Sequence, residues 1–109
     1  MMLTYFNIRP AIPFMAMKPE TNFKKIVLKD LKTLSNIWTY KTSDRVKCGI
    51  PDILLCRHGR FIAIELKVDS PVTKLQQYTM EMIDKSGGVS YVATPGNWEI
   101  IFQQIKEIT

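Results

Sequence analysis

Between residues 19 and 35 the apolar side chains Phe23, Ile26, Val27, Leu31 and Leu34 recur at helical steps, marking one face of a helix turned to a core. Lys24, Lys25, Lys29 and Lys32 occupy the other sides and read as a solubilising surface. The pattern then changes period. IWTY (37–40) reads as a short strand, followed by the polar stretch KTSDRVK (41–47) and then GIPD (49–52). DILLC (52–56) and RFIAIELK (60–67) read as two strands separated by Arg57, His58 and Gly59. Pro71 and Thr73 open a second helix that runs to about Ser86, where Gly87 and Gly88 stop it. VSYVAT (89–94) is a further strand. Pro95, Gly96 and Asn97 then turn into a last helix with Trp98, Ile101, Phe102, Ile105 and Ile108 on one side. The predicted order is αβββαβα, an α/β domain whose mixed central sheet is flanked by helices, with no repeat and no low-complexity segment.

The first seventeen residues do not share this patterning. Pro10 and Pro13 interrupt a short apolar stretch in which only Arg9 is basic, so neither a signal peptide nor a membrane helix is read there. A disordered tail, an arm that packs on a partner and a non-native start upstream of Met17 all fit; a loosely ordered arm over 1–17 is the preferred expectation, with the domain over 18–109. A chain of 109 residues supports one hydrophobic core, and 46% hydrophobic with 23% charged residues is an ordinary globular balance. The formal charge of +5 mildly favours a polyanionic partner. Cys48 and Cys56 are too few for a disulfide scaffold and have no histidine pairs to complete a zinc site, so reduced thiols in a cytoplasmic protein are expected.

The chemistry concentrates in the hairpin. A two-residue turn at His58-Gly59 sets Asp52 directly opposite Glu65, and directly opposed residues share a face with Cβ atoms ~4.5–5.5 Å apart. Lys67 points to that face as well, because side chains alternate along a strand. Leu54, Cys56, Ala63 and Phe61 complete the face, and Ile53, Leu55, Ile62, Ile64 and Leu66 form the other, so both are expected to be covered. Facing acids at the mouth of a mostly buried surface repel each other and call for a cation. A divalent ion with hard oxygen ligands suits them: Mg²⁺ binds through one or two carboxylates plus substrate phosphate.

The segment GIPDILLCRHGRFIAIELK resembles the PD-(D/E)XK nuclease superfamily, with Pro51-Asp52 and Glu65-Leu66-Lys67 as its two halves. The fuller pattern is similar to that of the virus-type replication-repair nuclease (VRR-NUC) family: Gly49-Ile50-Pro51-Asp52, then Glu65-Leu66-Lys67, then a helix glutamine, Gln76, eleven residues before Gly87. The match covers roughly residues 20–94 by motif spacing. One departure is that Thr79, beside Tyr78, stands near a position where the family commonly has an aromatic. The resemblance implies a restriction-endonuclease-like domain hydrolysing DNA phosphodiester bonds with Mg²⁺, for which Mn²⁺ substitutes, and with no organic cofactor. It implies catalytic roles for Asp52, Glu65, Lys67 and Gln76, and metal ligation by Glu20, Asp52, Glu65 and the backbone carbonyl of Leu66. Two of these residues have plainer readings. Glu20 also suits a helix N-terminus by its charge, and Thr73 with Gln76 fits a capping box.

Lys41, Arg45 and Lys47 lie just upstream of Asp52, where a basic loop either grips phosphates or is simply solvated. His58, the only histidine, is read as a turn residue, and Trp98 as core. Family analogy suggests a homodimer acting on branched, junction-like DNA in phage-type replication, recombination or repair, within the host cytoplasm if phage-encoded. Two other classes stay open: a nuclease module indifferent to DNA structure inside a larger complex, and a non-catalytic DNA-binding or scaffold domain.

Overall fold

A computed structural model describes residues 19–42 and 49–109. The expected arm over 1–17, and Arg45 and Lys47 of the basic loop, lie outside the described residues. The elements are α1 (Pro19–Leu31), β1 (Ile37–Lys41), β2 (Ile53–Arg57), β3 (Arg60–Leu66), α2 (Lys74–Lys85), β4 (Val89–Ala93) and α3 (Trp98–Lys106). The strands form one sheet in the order β1-β2-β3-β4. Pairing is antiparallel between β1 and β2 and between β2 and β3, and parallel between β3 and β4. The sheet is therefore mixed, and α2 makes the crossover that parallel neighbours require.

Helix α1 stops at Leu31, short of the apolar stripe that continues to Leu34. The Thr33 hydroxyl donates to the Asp30 carbonyl at 2.6 Å and the Thr33 amide bonds the same oxygen at 3.0 Å, closing a turn in place of another helical step. Leu34 still packs against the core, from the turn that follows. Helices α1 and α3 cover one face of the sheet. Phe23, Val27 and Leu31 from α1, with Trp98, Ile101 and Ile105 from α3, pack on Ile53, Leu55, Ile62 and Ile64. The Trp98 indole donates to Asp30 at 2.8 Å, joining the two helices through the one polar atom the ring must satisfy.

The His58-Gly59 turn has φ of 50° and 78°, the double positive φ of the tightest hairpins, and Arg57 pairs with Arg60 on either side of it. Arg57 thus belongs to β2 rather than to the connection. Strand alternation sends its side chain to the covered face, where it is buried. Its guanidinium donates to the carbonyls of Ser35 at 2.6 Å and Lys106 at 3.4 Å, tying the turn after α1 to the end of α3.

Helix α2 lies on the opposite face. It ends in a Schellman arrangement: Gly87 has φ of 98°, its amide bonds Asp84 O, and the Gly88 amide bonds Ile83 O at 2.9 Å. A Cβ on Gly88 would come within 3.1 Å of the Phe61 ring, so α2 approaches β3 closely there. Among the described residues, coverage of this second face is incomplete, where the sequence pattern predicts both faces covered. Cys56 is exposed, Phe61 is 41% exposed, and Trp38 and Tyr40 on the neighbouring strand are 58% and 52% exposed. The reason is geometric. A helix about 10 Å across spans about two strands set ~4.8 Å apart, and α2 is the single described helix on this side.

Candidate active site

The β2–β3 register pairs Ile53 with Ile64, and one more step sets Asp52 opposite Glu65. Both side chains are buried, Asp52 at 8% exposure and Glu65 at 1%. Three features of the chain put them there. Gly49, with φ of 78°, lets the incoming loop turn tightly against α2, where a Cβ would meet Leu75 Cγ at 2.6 Å. Pro51, fully buried, then leads into β2. Thr42, just past β1, holds the strand start by donating from its amide to Asp52 O at 2.9 Å and from its hydroxyl to Pro51 O at 3.0 Å.

Asp52 Oδ2 accepts the Leu66 amide at 2.8 Å, which anchors its carboxylate on the backbone between Glu65 and Lys67. Lys67 Nζ lies 3.5 Å from Glu65 Oε2, with the lysine side chain only 13% exposed. Gln76 Nε2 donates to the same Glu65 oxygen at 2.9 Å. Four of the residues singled out in the sequence, Asp52, Glu65, Lys67 and Gln76, therefore meet at one end of β2 and β3.

Gln76 makes two sets of contacts at once. Its Oε1 accepts the Thr73 amide at 2.9 Å while its own amide donates to the Thr73 hydroxyl at 3.1 Å, a complete capping box. The other end of the same side chain is the donor to Glu65. One carboxamide both caps α2 and reaches the acidic pair, because the first turn of α2 lies over the end of β3.

The remaining candidates are placed differently. Glu20 is exposed in the first turn of α1. Among the described residues no three His, Cys, Asp or Glu side chains gather as a metal-holding group, so Glu20 does not join Asp52 and Glu65. The apolar stripe of α1 is buried from Phe23 onward, and the turn before it meets solvent. Leu66, the last residue of β3, is half-buried with its amide on Asp52. Lys41 is exposed at the end of β1. His58 is exposed in the turn. The sequence reading missed Arg57 as a buried residue and Thr42 as a support of Asp52. The two-residue period of β2 carried the signal for Arg57; Thr42 has none, since its role depends on the β1–β2 register.

Two nearly buried carboxylates on adjacent strands, one touching an ammonium and a carboxamide donor, form a cluster with hard oxygen donors. That donor set fits a Mg²⁺ ion, which needs only one or two protein carboxylates when waters and a substrate phosphate supply the rest. No family model, no curated protein and no solved structure matches this chain. Among the described residues no helix is long and apolar enough to cross a membrane.

Proposed function

We propose that the chain is a Mg²⁺-dependent endodeoxyribonuclease of the restriction-endonuclease-like fold, hydrolysing phosphodiester bonds at the cluster of Asp52, Glu65 and Lys67. The observation that carries this reading is the burial of Asp52 and Glu65 on facing strands with Lys67 Nζ 3.5 Å from Glu65. Two carboxylates at the ends of facing strands, with an ammonium beside one of them, supply the hard oxygen donors that Mg²⁺ takes together with a substrate phosphate. The VRR-NUC resemblance of GIPD, ELK and Gln76 supports the same assignment.

In this reading Asp52 and Glu65 would hold the ion, with the Leu66 carbonyl as a third protein donor. When bound, Mg²⁺ supplies Lewis-acid charge against the phosphate oxygens and favours ionisation of water. The chain's own groups do the rest. The Leu66 amide fixes the direction of the Asp52 carboxylate, and the Gln76 carboxamide fixes that of Glu65. Lys67 would orient the attacking water and offset negative charge as the water oxygen bonds to phosphorus, its proton passing to solvent, while the P–O bond to the leaving strand breaks and that oxygen takes a proton from solvent. Lys41, with Arg45 and Lys47 of the adjoining loop, grips backbone phosphates. The preference for branched DNA, the homodimer and a place in replication, recombination or repair rest on the family resemblance and form the finer part of the proposal.

Purified protein offered junction, flap, duplex and single-stranded DNA with Mg²⁺, beside Asp52→Ala and Lys67→Ala chains, tests it. Cutting that both substitutions abolish is expected, and restriction to junctions supports structure-directed action. Cutting of every substrate points to a module without structural preference. A folded protein that cuts nothing with Mg²⁺ or Mn²⁺ would overturn the enzymatic reading and leave a DNA-binding or scaffold domain.

A further inference from the structure

We infer that the half of the sheet that no described helix covers, centred on Trp38 and Tyr40, is a stacking platform for the unpaired bases of a nucleic-acid strand running toward Asp52 and Glu65. The inference takes its direction from the nuclease reading and adds the class of substrate segment that the site takes. Trp38 and Tyr40 stand two residues apart on β1, 58% and 52% exposed, with ring planes 4° from parallel and centroids 6.2 Å apart. The β1–β2 register pairs them with Cys56 and Leu54, and β2–β3 pairs those with Phe61 and Ala63. This is the face on which Glu65 stands.

The aromatic row points at the candidate site. Thr42, the next residue of the same alternation, bonds the backbone of Asp52. At ~3.4 Å per strand residue, Tyr40 lies ~7 Å and Trp38 ~14 Å back from Thr42 along the sheet. A stacked strand rises ~3.4 Å per nucleotide, so bases on these rings belong to nucleotides about two to four steps from the phosphate at the carboxylates. Exposed aromatic faces of this kind bind unpaired bases of any sequence, because every base has a π-face, while cations track the backbone. Lys67, two residues beyond Glu65 and on its face, lies at the far end of the path. The chain's net charge of +5 complements a polyanion, whereas a second copy laid on this face would bring two net-positive chains together. A paired duplex keeps its bases stacked on one another, so single-stranded flanks, loops or frayed ends are the segments selected.

Fluorescence titration of the full chain tests this without hydrolysis, in chelator and free of divalent ion. The only other tryptophan, Trp98, is 5% exposed, so a change on adding strand that vanishes in Trp38→Phe reports the platform. The probes are a short oligothymidylate and an abasic strand with the same number of phosphates. Quenching of Trp38 is expected, with affinity for oligothymidylate roughly tenfold or more above that for the abasic strand. That preference should disappear in a Trp38→Ala, Tyr40→Ala chain of unchanged circular dichroism and persist in Tyr40→Phe. Equal affinity for the two strands would overturn the inference, since phosphates alone would then be bound. So would a dimer in sedimentation that the double alanine chain cannot form, because a second copy would then own the face. Base-dependent binding without Mg²⁺-dependent cutting would sink the nuclease reading and leave the platform standing. Cutting without base dependence would do the reverse.

Discussion

The double engagement of Gln76 makes a prediction whose size follows from the geometry. In Gln76→Glu the half of the side chain that accepts from the Thr73 amide is kept, and an acidic residue suits the first turn of a helix. The half that donates to Glu65 is replaced by a carboxylate facing a carboxylate at a site where the native contact is 2.9 Å. Coulomb's law at an effective dielectric of about 20 puts that repulsion near ~6 kcal/mol. Holding a proton on one carboxyl of ordinary pKa costs only ~3.7 kcal/mol at pH 7, so the folded variant takes up a proton instead. If the new carboxylate swings out to solvent, the loss is that of a hydrogen bond to a charged group, about 1.5–3 kcal/mol. The variant is therefore expected to be about 2–4 kcal/mol less stable than the native chain at pH 7 without divalent ion. The sign of its pH dependence distinguishes the two routes. When the folded state keeps a proton that the unfolded state has released, the stability deficit grows by up to ~1.4 kcal/mol per pH unit as pH rises above ~4.3, and it closes as pH falls toward that value. Urea unfolding at pH 5, 6 and 7 of the native chain, Gln76→Glu and Thr73→Ala measures this. Thr73→Ala, which removes only a cap, should cost about 1 kcal/mol with no such slope. Equal stability of Gln76→Glu and native protein at pH 7 would refute the contact with Glu65.

Two further substitutions probe contacts at either end of β2. Arg57→Ala should cost about 2–4 kcal/mol in urea unfolding, because it removes the buried side chain that donates to the carbonyls of Ser35 and Lys106 and leaves a void beside α3; a change below about 0.5 kcal/mol would rule out the clamp. Gly49→Ala should cost about 1–3 kcal/mol, since the position has φ of 78° and its Cβ would press on Leu75. Pairing it with Leu75→Ala relieves the side-chain clash but not the backbone strain, so thermal unfolding should recover only in part; full recovery would show that φ is unstrained there.

The β-hairpin was the most legible part of this protein. Periodicity placed Ile53, Leu55, Ile62 and Ile64 on one face, and the short His58-Gly59 turn determined the pairing that sets Asp52 across from Glu65. A one-residue slip would have sent each of these side chains to the wrong face, so this local information was decisive. The capping box at Thr73 and Gln76 and the stop at Gly87 were also legible, because caps are satisfied within one turn of chain. Other features required partners distant in sequence. Arg57 is a buried clamp only because the turn at Ser35 and the end of α3 converge on it. Gln76 reaches Glu65 only because the crossover lays the start of α2 over the end of β3. Trp38 and Tyr40 are exposed because, among the described elements, the one helix on that face is too narrow to cover four strands, a matter of how many elements reach the face rather than of any residue in it. Periodicity thus assigned side chains to faces, and three-dimensional packing decided which faces were covered and which side chains met.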